Sequence, residues 1–132
     1  MEKIEGGNPV SIWIGVADEN FEEYIDQDAY GENCGFCQDI GQAYDVDKFS
    51  VYVSEGMLSL DDLIIEIPFS ESYENPLISK CKSMGIEKAN AYISILDEDY
   101  EFKDNDKEFS GLHFIGVFYY ELPDEWSENG IV

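Results

Sequence analysis

The sequence contains no arginine, and its cations are seven lysines against 30 aspartates and glutamates, for a formal net charge of −23. Nucleic acids and anionic membranes need cationic patches, so this balance argues against both as partners. The missing guanidinium also removes the usual planar fork for phosphate or carboxylate substrates. The charge instead favours a basic macromolecular partner recruited by electrostatic steering, with solubility alone as the alternative.

Cysteine, histidine and long apolar runs are scarce as well. There are three cysteines, an odd number, and one histidine. No run approaches the ~18 apolar residues of a membrane helix, and residues 1–9 lack the apolar centre of a signal peptide. We therefore expect a cytoplasmic protein with reduced thiols.

Sequence motifs for catalysis are also lacking. There is no Gly-x-Ser-x-Gly, phosphate loop, His-Glu-x-x-His or dinucleotide fingerprint. Cys34 and Cys37 have the spacing of a redox dithiol, but no strand precedes them, and only Cys81 and His113 remain to complete a zinc site. A structural role is the prior for a histidine in a strand-like run. We therefore predict that the protein is not an enzyme and has no cofactor or metal site.

An EF-hand-like spacing of acidic residues occurs between two predicted strands. Positions 1, 3, 5, 9 and 12 of such a loop would be Asp97, Asp99, Glu101, Asn105 and Glu108. Phe102 stands at position 6, where the sharp turn needs glycine, and helices do not flank the segment. Chance accounts for this match in so acidic a chain.

The apolar content is high enough for a folded domain despite the charge. Hydrophobic residues make up 44% of 132 residues, which fits one domain with one core. We predict a single domain over 1–132, with a core of about 9–122, a polar lead-in and a C-terminal tail that Trp126 pins down. Apolar and alternating patterns predict strands at 10–16, 49–54, 89–96 and 112–122. The last two are expected to form an antiparallel hairpin with a long acidic loop.

Helical periodicity and capping residues predict the other elements. Asp18 is expected to cap a helix to about Gln27, and a short helix around Phe36 to Ile40 should stop at Gly41. Two further helices should run from Ser59 to Pro68, where a strand through 63–67 is the rival, and from Asn75 to Gly85. The predicted fold class is α+β, with a central, mostly antiparallel sheet and helices packed on it.

The order of several motifs resembles that of a known family. The motifs are Val10-Ser-Ile-Trp-Ile-Gly15, Phe21-Glu-Glu-Tyr24, Phe36-Cys-Gln-Asp-Ile-Gly41, Tyr44-Asp-Val-Asp-Lys-Phe49, and Ile86-Glu-Lys-Ala-Asn-Ala-Tyr92 leading to Leu96-Asp-Glu-Asp-Tyr100. Over roughly residues 9–120 the chain resembles the immunity protein 22 family of bacterial polymorphic-toxin systems. The resemblance implies an α+β fold, no catalysis, and a cytoplasmic antidote that binds and blocks a cognate toxin domain.

We therefore expect a toxin-neutralising protein whose acidic surface occludes a basic toxin, with a nuclease as the favoured kind, since its cleft is built for phosphates. Two candidate contact patches follow from the charge pattern, and a solvated surface is the alternative for each. The first patch is the 97–108 connection: Asp97, Glu98, Asp99, Tyr100, Glu101, Phe102, Asp104, Asp106 and Glu108. The second patch is the helix face of Glu19, Glu22, Glu23 and Asp26.

Two rival functions remain open at this point. One is an acidic adaptor or nucleic-acid mimic without a dedicated toxin. The other is an enzyme of unrecognised type that uses Cys34, Cys37 or His113. The oligomeric state and the toxin's chemistry do not follow from the sequence.

Overall fold

The computed structural model describes residues 8–102 and 107–120, and they form a curled, antiparallel five-stranded sheet with helices on both faces. The strand order is β2-β3-β1-β5-β4. The strands are β1 (Asn8–Gly15), β2 (Phe49–Ser59), β3 (Lys88–Leu96), β4 (Glu108–Phe109) and β5 (Leu112–Tyr120). The helices are α1 (Phe21–Tyr24), α2 (Gln27–Tyr30), α3 (Gly35–Ile40), α4 (Leu60–Ile64) and α5 (Glu74–Ser83). The α+β prediction is confirmed.

Strand β1 is the middle strand of the sheet, and it is buried on both faces. Val10, Ile12, Trp13 and Ile14 are each fully buried. A short run of β-branched and aromatic residues without charge suits this position, because neither face meets water. The predicted strand is confirmed, although it begins two residues earlier than expected.

Two separate cores lie on the two faces of the sheet. One contains Ile12 and Ile14 and is closed by apolar residues of α4 and α5. The other surrounds Trp13 and is closed by residues of α1 and α3 and by the segment after β3. The two faces follow from strand alternation, since neighbouring residues of β1 point to opposite sides.

The predicted hairpin of residues 89–96 and 112–122 is wrong, because β1 lies between β3 and β5. The chain leaving β3 crosses one face of the sheet instead. The Asp97 N–H donates to Pro9 O at 2.7 Å, the Ser11 hydroxyl donates to Glu98 O at 2.8 Å, and the Tyr100 N–H donates to Ser11 Oγ at 3.0 Å. Residues 97–102, called the crossover segment below, are therefore tied to β1 rather than being a free loop.

The predicted helix from Asp18 to Gln27 is also wrong, since two one-turn helices replace it. α1 ends at Tyr24, and the Asp26 side chain accepts from the Ala29 N–H at 2.9 Å to begin α2. Tyr44 stabilises the break between α1 and α2. Its hydroxyl donates to Ile25 O at 2.6 Å, and its backbone N–H donates to the Gln27 side chain at 2.9 Å. The first of these bonds occupies the Ile25 carbonyl, which in a continuous helix would accept from the N–H four residues later, and the second fixes the Gln27 side chain beside the break.

The other predicted elements are confirmed with shifted ends. Ser59 caps α4 through the Asp62 N–H at 3.3 Å, which excludes the rival strand, but α4 ends at Ile64, and tight turns lead on to buried Ile67. α3 ends at Ile40, and Gly41 stops it in a left-handed conformation, as predicted. The predicted strand at 49–54 extends to Ser59.

Helix α5 begins at Glu74, so Asn75 is not its cap. Its N-terminus is fixed by Tyr73, which is buried and donates its hydroxyl to Pro68 O at 2.6 Å. The expected role of Trp126 and the strand residues after Tyr120 lie outside the described residues.

Candidate acidic binding site

The structure brings one residue from each predicted patch to the same groove. This acidic groove has a volume of about 530 Å³ and lies between α1, α3 and the β4–β5 turn. Glu23 comes from the helix face and Glu108 from the segment 97–108. Four carboxylates and two tyrosines define the groove: Asp18, Glu23, Asp39 and Glu108, with Tyr24 and Tyr30.

One wall of the groove is fixed by a close approach of two backbone segments. The Asp18 N–H donates to Ser110 O at 3.0 Å, and the Ser110 hydroxyl donates to Asp18 Oδ1. Gly111 follows with φ +99°, and a Cβ there would lie 2.0 Å from Val16 O. Only glycine allows this approach, so the residue type at 111 sets the distance between Asp18 and the β4–β5 turn.

Two residues of the groove, Tyr24 and Asp39, form a hydrogen-bonded chain with Lys107. The Tyr24 hydroxyl donates to Asp39 Oδ2, and Lys107 Nζ lies 3.1 Å from Asp39 Oδ1. Burial, and then the hydrogen bond to Asp39, raise the pKa of Tyr24 far above its usual range, so it stays a donor. Lys107 also lies 5.5 Å from the Phe109 ring centroid. The ion pair with Lys107 therefore partly neutralises the charge of Asp39.

Glu23 and Glu108 have no such partner among the described residues. Both side chains are exposed, and no lysine of residues 8–102 or 107–120 forms an ion pair with either. Tyr30, with 48% of its surface exposed, lies at the same groove. Unpaired carboxylates beside an exposed aromatic ring can bind a lysine or arginine side chain through charge and ring contacts.

The other members of the first patch are spread along the crossover segment. Asp97 pairs with Lys48 and accepts from the Tyr120 hydroxyl at 2.8 Å. Burial alone would raise the pKa of Asp97, but these two hydrogen bonds outweigh burial and lower it. Asp97 therefore connects the start of β2 to the end of β5. Glu98 is half-buried, Asp99 and Glu101 are exposed, and Asp104 and Asp106 lie outside the described residues.

Tyr100 and Phe102 are half-buried, with their rings 5.8 Å and 6.2 Å from the Trp13 ring. They therefore anchor the crossover segment to the core. In the second patch, Glu19 and Glu22 are exposed but do not line the groove, and half-buried Asp26 caps α2.

Sequence patterns did not indicate Asp18, Asp39, Tyr24 or Tyr30 as site residues. Asp18 was assigned to a helix cap, and Asp39 reaches the groove only because α3 packs beside α1. The one available signal for Tyr30 was an aromatic residue within an acidic, glycine-flanked stretch.

The cysteine pair has the surroundings of buried structural thiols. Cys34 and Cys37 are almost fully buried, with their sulfurs 3.0 Å apart, and Cys37 donates to Gln27 Oε1 at 3.1 Å. Burial, followed by the hydrogen bond with Cys34, raises the pKa of Cys37 to about 11. At neutral pH this thiol stays protonated, whereas nucleophilic cysteines are thiolates.

His113 is half-buried and lines a different cavity, of about 910 Å³, along β5. Cys34 lines the acidic groove instead, so the residues of the enzyme hypothesis do not share one pocket.

Within residues 8–102 and 107–120, no group of three His, Cys, Asp or Glu is placed to hold a metal ion. No described helix combines the length and apolarity needed to cross a membrane.

Comparison with known proteins gives one match. The model of the immunity protein 22 family covers residues 10–121. No curated protein and no solved structure matches the chain. Immunity proteins are generally non-enzymatic, and the family assignment indicates a toxin-neutralising role with a toxin protein as the partner. With the match spanning most of its length, this chain belongs to the immunity protein 22 family.

Proposed function

We propose that this protein binds a basic toxin domain through the acidic groove and neutralises it by covering its active cleft. The convergence of Glu23 and Glu108 at one groove, both without a described cationic partner, carries the proposal. Each would accept a lysine or arginine of the toxin, and exposed Tyr30 would pack against its aliphatic stem.

A nuclease is the toxin class that this chemistry fits best. Nuclease clefts present cations to phosphates, and carboxylates at comparable spacing can occupy the same cations. The net charge of −23 would also accelerate the encounter with a basic protein. Association should therefore slow as the salt concentration rises.

Two double variants with the same net charge distinguish binding through the acidic groove from a general effect of the protein's negative charge. Glu23→Gln with Glu108→Gln alters the groove, and Glu66→Gln with Glu71→Gln makes the same change in net charge at exposed sites that do not line it. Binding to the toxin domain encoded beside this protein is measured by calorimetry, and protection by growth of cells expressing that toxin. The groove pair should weaken binding roughly 10- to 100-fold, and the control pair only a few-fold.

Equal losses in the two pairs would show that the groove is not the centre of the contact. Absence of binding at low salt, together with no protection of growth, would refute the toxin-neutralising proposal itself.

A further inference from the structure

The outer edge of β2 has unpaired backbone groups. β2 is the first strand in the sheet order, and β3 is its only described neighbour. An edge strand exposes a row of N–H and C=O groups to which another strand can add. Natural edges are commonly protected by charge or by a bulge. In β2 the register shift begins only after Val53, so the first five residues form a regular edge.

The pairing with β3 shows which residues face outward. The Leu96 N–H donates to Lys48 O at 3.1 Å, which makes these two a hydrogen-bonded pair. Such pairs alternate with non-bonded pairs in an antiparallel ladder. In the observed register, Phe49, Val51 and Val53 then stand at the non-bonded positions opposite β3. The N–H and C=O groups of these three residues therefore point away from β3, toward the open edge of the sheet.

The same three residues carry apolar side chains on one face of the strand. Val51 is 36% exposed and Val53 is 47% exposed. Residues 49–54 contain no charge, in a chain with 30 acidic side chains. A partner attracted by charge would be steered to the carboxylates. A second negative chain would meet no carboxylate directly opposite within residues 49–54, although exposed Asp47 and Glu55 flank the stretch and would repel their counterparts in a way that salt screens.

We propose that β2 pairs with β2 of a second copy of this chain, antiparallel across a two-fold axis at Val51. Phe49 then pairs with Val53 of the second copy, and Val51 pairs with its own equivalent. This register joins all three outward-facing residues of each copy, because every pair in it is of the hydrogen-bonded kind. The apolar side chains continue across the axis, and the two sheets become one.

The acidic groove remains free in this dimer, since it lies beside β4 at the opposite edge of the sheet. The inference therefore does not depend on the proposed toxin site. Dimer formation should also respond to salt in the opposite direction from toxin binding. Two chains of −23 repel each other, so added salt should strengthen the dimer while it slows the association with a basic toxin.

Sedimentation equilibrium of the purified chain over a range of concentration and salt tests this proposal. Wild type should associate to a dimer, more strongly at higher salt. Val51→Glu places two carboxylates opposite each other and should weaken the dimer roughly tenfold or more. Ile65→Glu adds the same charge at an exposed aliphatic residue at the end of α4, outside the strand, and should associate like wild type.

A second pair of variants keeps the charge constant. Val51→Pro removes an outward N–H and leaves the β3 ladder intact, so it should give a folded monomer. Val46 is the second residue of the turn in which the Lys48 N–H donates to Asp45 O, and proline is favoured at that position. The Val46→Pro variant should therefore still dimerise. A wild-type monomer under all conditions, or equal association of the Val51 variants and their controls, would overturn the proposal, whatever the outcome for the toxin.

Discussion

Trp13 supports the crossover segment as well as the core, so its replacement should be among the most destabilising single changes. The side chain is fully buried. Its ring lies 5.1–6.2 Å from five other aromatic rings, those of Phe36, Tyr100, Phe102, Phe109 and Phe114. Replacing a buried aromatic residue by alanine costs about 3–5 kcal/mol, a large part of the stability of a small domain.

Trp13→Phe should cost much less, for a reason specific to this site. The indole N–H is buried and has no hydrogen-bond partner among the described residues. An unsatisfied buried donor costs about 1–3 kcal/mol, and phenylalanine removes it. This gain offsets part of the lost ring volume, so we expect a net loss of about 1 kcal/mol for Trp13→Phe and about 4 kcal/mol for Trp13→Ala.

Urea unfolding followed by far-ultraviolet circular dichroism measures both free energies of unfolding. Tyr119→Ala, which removes an aromatic ring that is 46% exposed on β5, is the control and should cost less than about 1 kcal/mol. If phenylalanine and alanine at position 13 were equally destabilising, the unpaired indole would not carry the cost assigned to it. A loss below about 1 kcal/mol for Trp13→Ala would refute the role of the ring cluster.

Three further outcomes are expected. Gly111→Ala should lower the free energy of unfolding by about 2 kcal/mol or more in urea, since φ is +99° and the new Cβ would meet Val16 O. Because the pKa of Asp97 is lowered in the fold, its stabilisation is present above the unfolded pKa of about 3.9 and is lost as pH falls through the folded pKa. The difference in unfolding free energy between wild type and Asp97→Asn should therefore shrink on acidification, and a constant difference would contradict the pairing with Lys48. The three buried thiols should react with a thiol reagent slowly when native and fast in urea, because the fold covers all three, whereas rapid native labelling would contradict their burial.

Local patterns identified most elements because their signals lie within a few residues. The uncharged run around Trp13 predicted a buried strand, and Gly41 ended α3 where a left-handed residue was needed. Ser59 capped α4 as its hydroxyl predicted. In each case the local preference and the tertiary environment agree, so the sequence alone was sufficient.

The errors arose where distant residues decided the local structure. The periodicity of residues 18–27 is helical, but the Tyr44 hydroxyl donates to Ile25 O, where the helix is interrupted, and the Gln27 side chain bonds to the Tyr44 backbone in both directions. The separation of β3 and β5 by β1 also left no signal in the sequence, because strands predicted one after the other usually pair and nothing local to either strand indicates an intervening one. Of the proposed site, the sequence indicated Glu23 and Glu108 only as members of two separate patches.

The amino-acid sequence by itself determined the α+β class, the excess of negative charge and the family, because composition, alternation and motif order are properties of the chain. Only the tertiary structure decided that Glu23 and Glu108 share one groove and that Tyr100 and Phe102 pack inward on Trp13. The physical reason is that a carboxylate or a ring has the same sequence signal on any surface. Its neighbours are fixed by how the strands are ordered and by which face of the sheet the crossover segment covers.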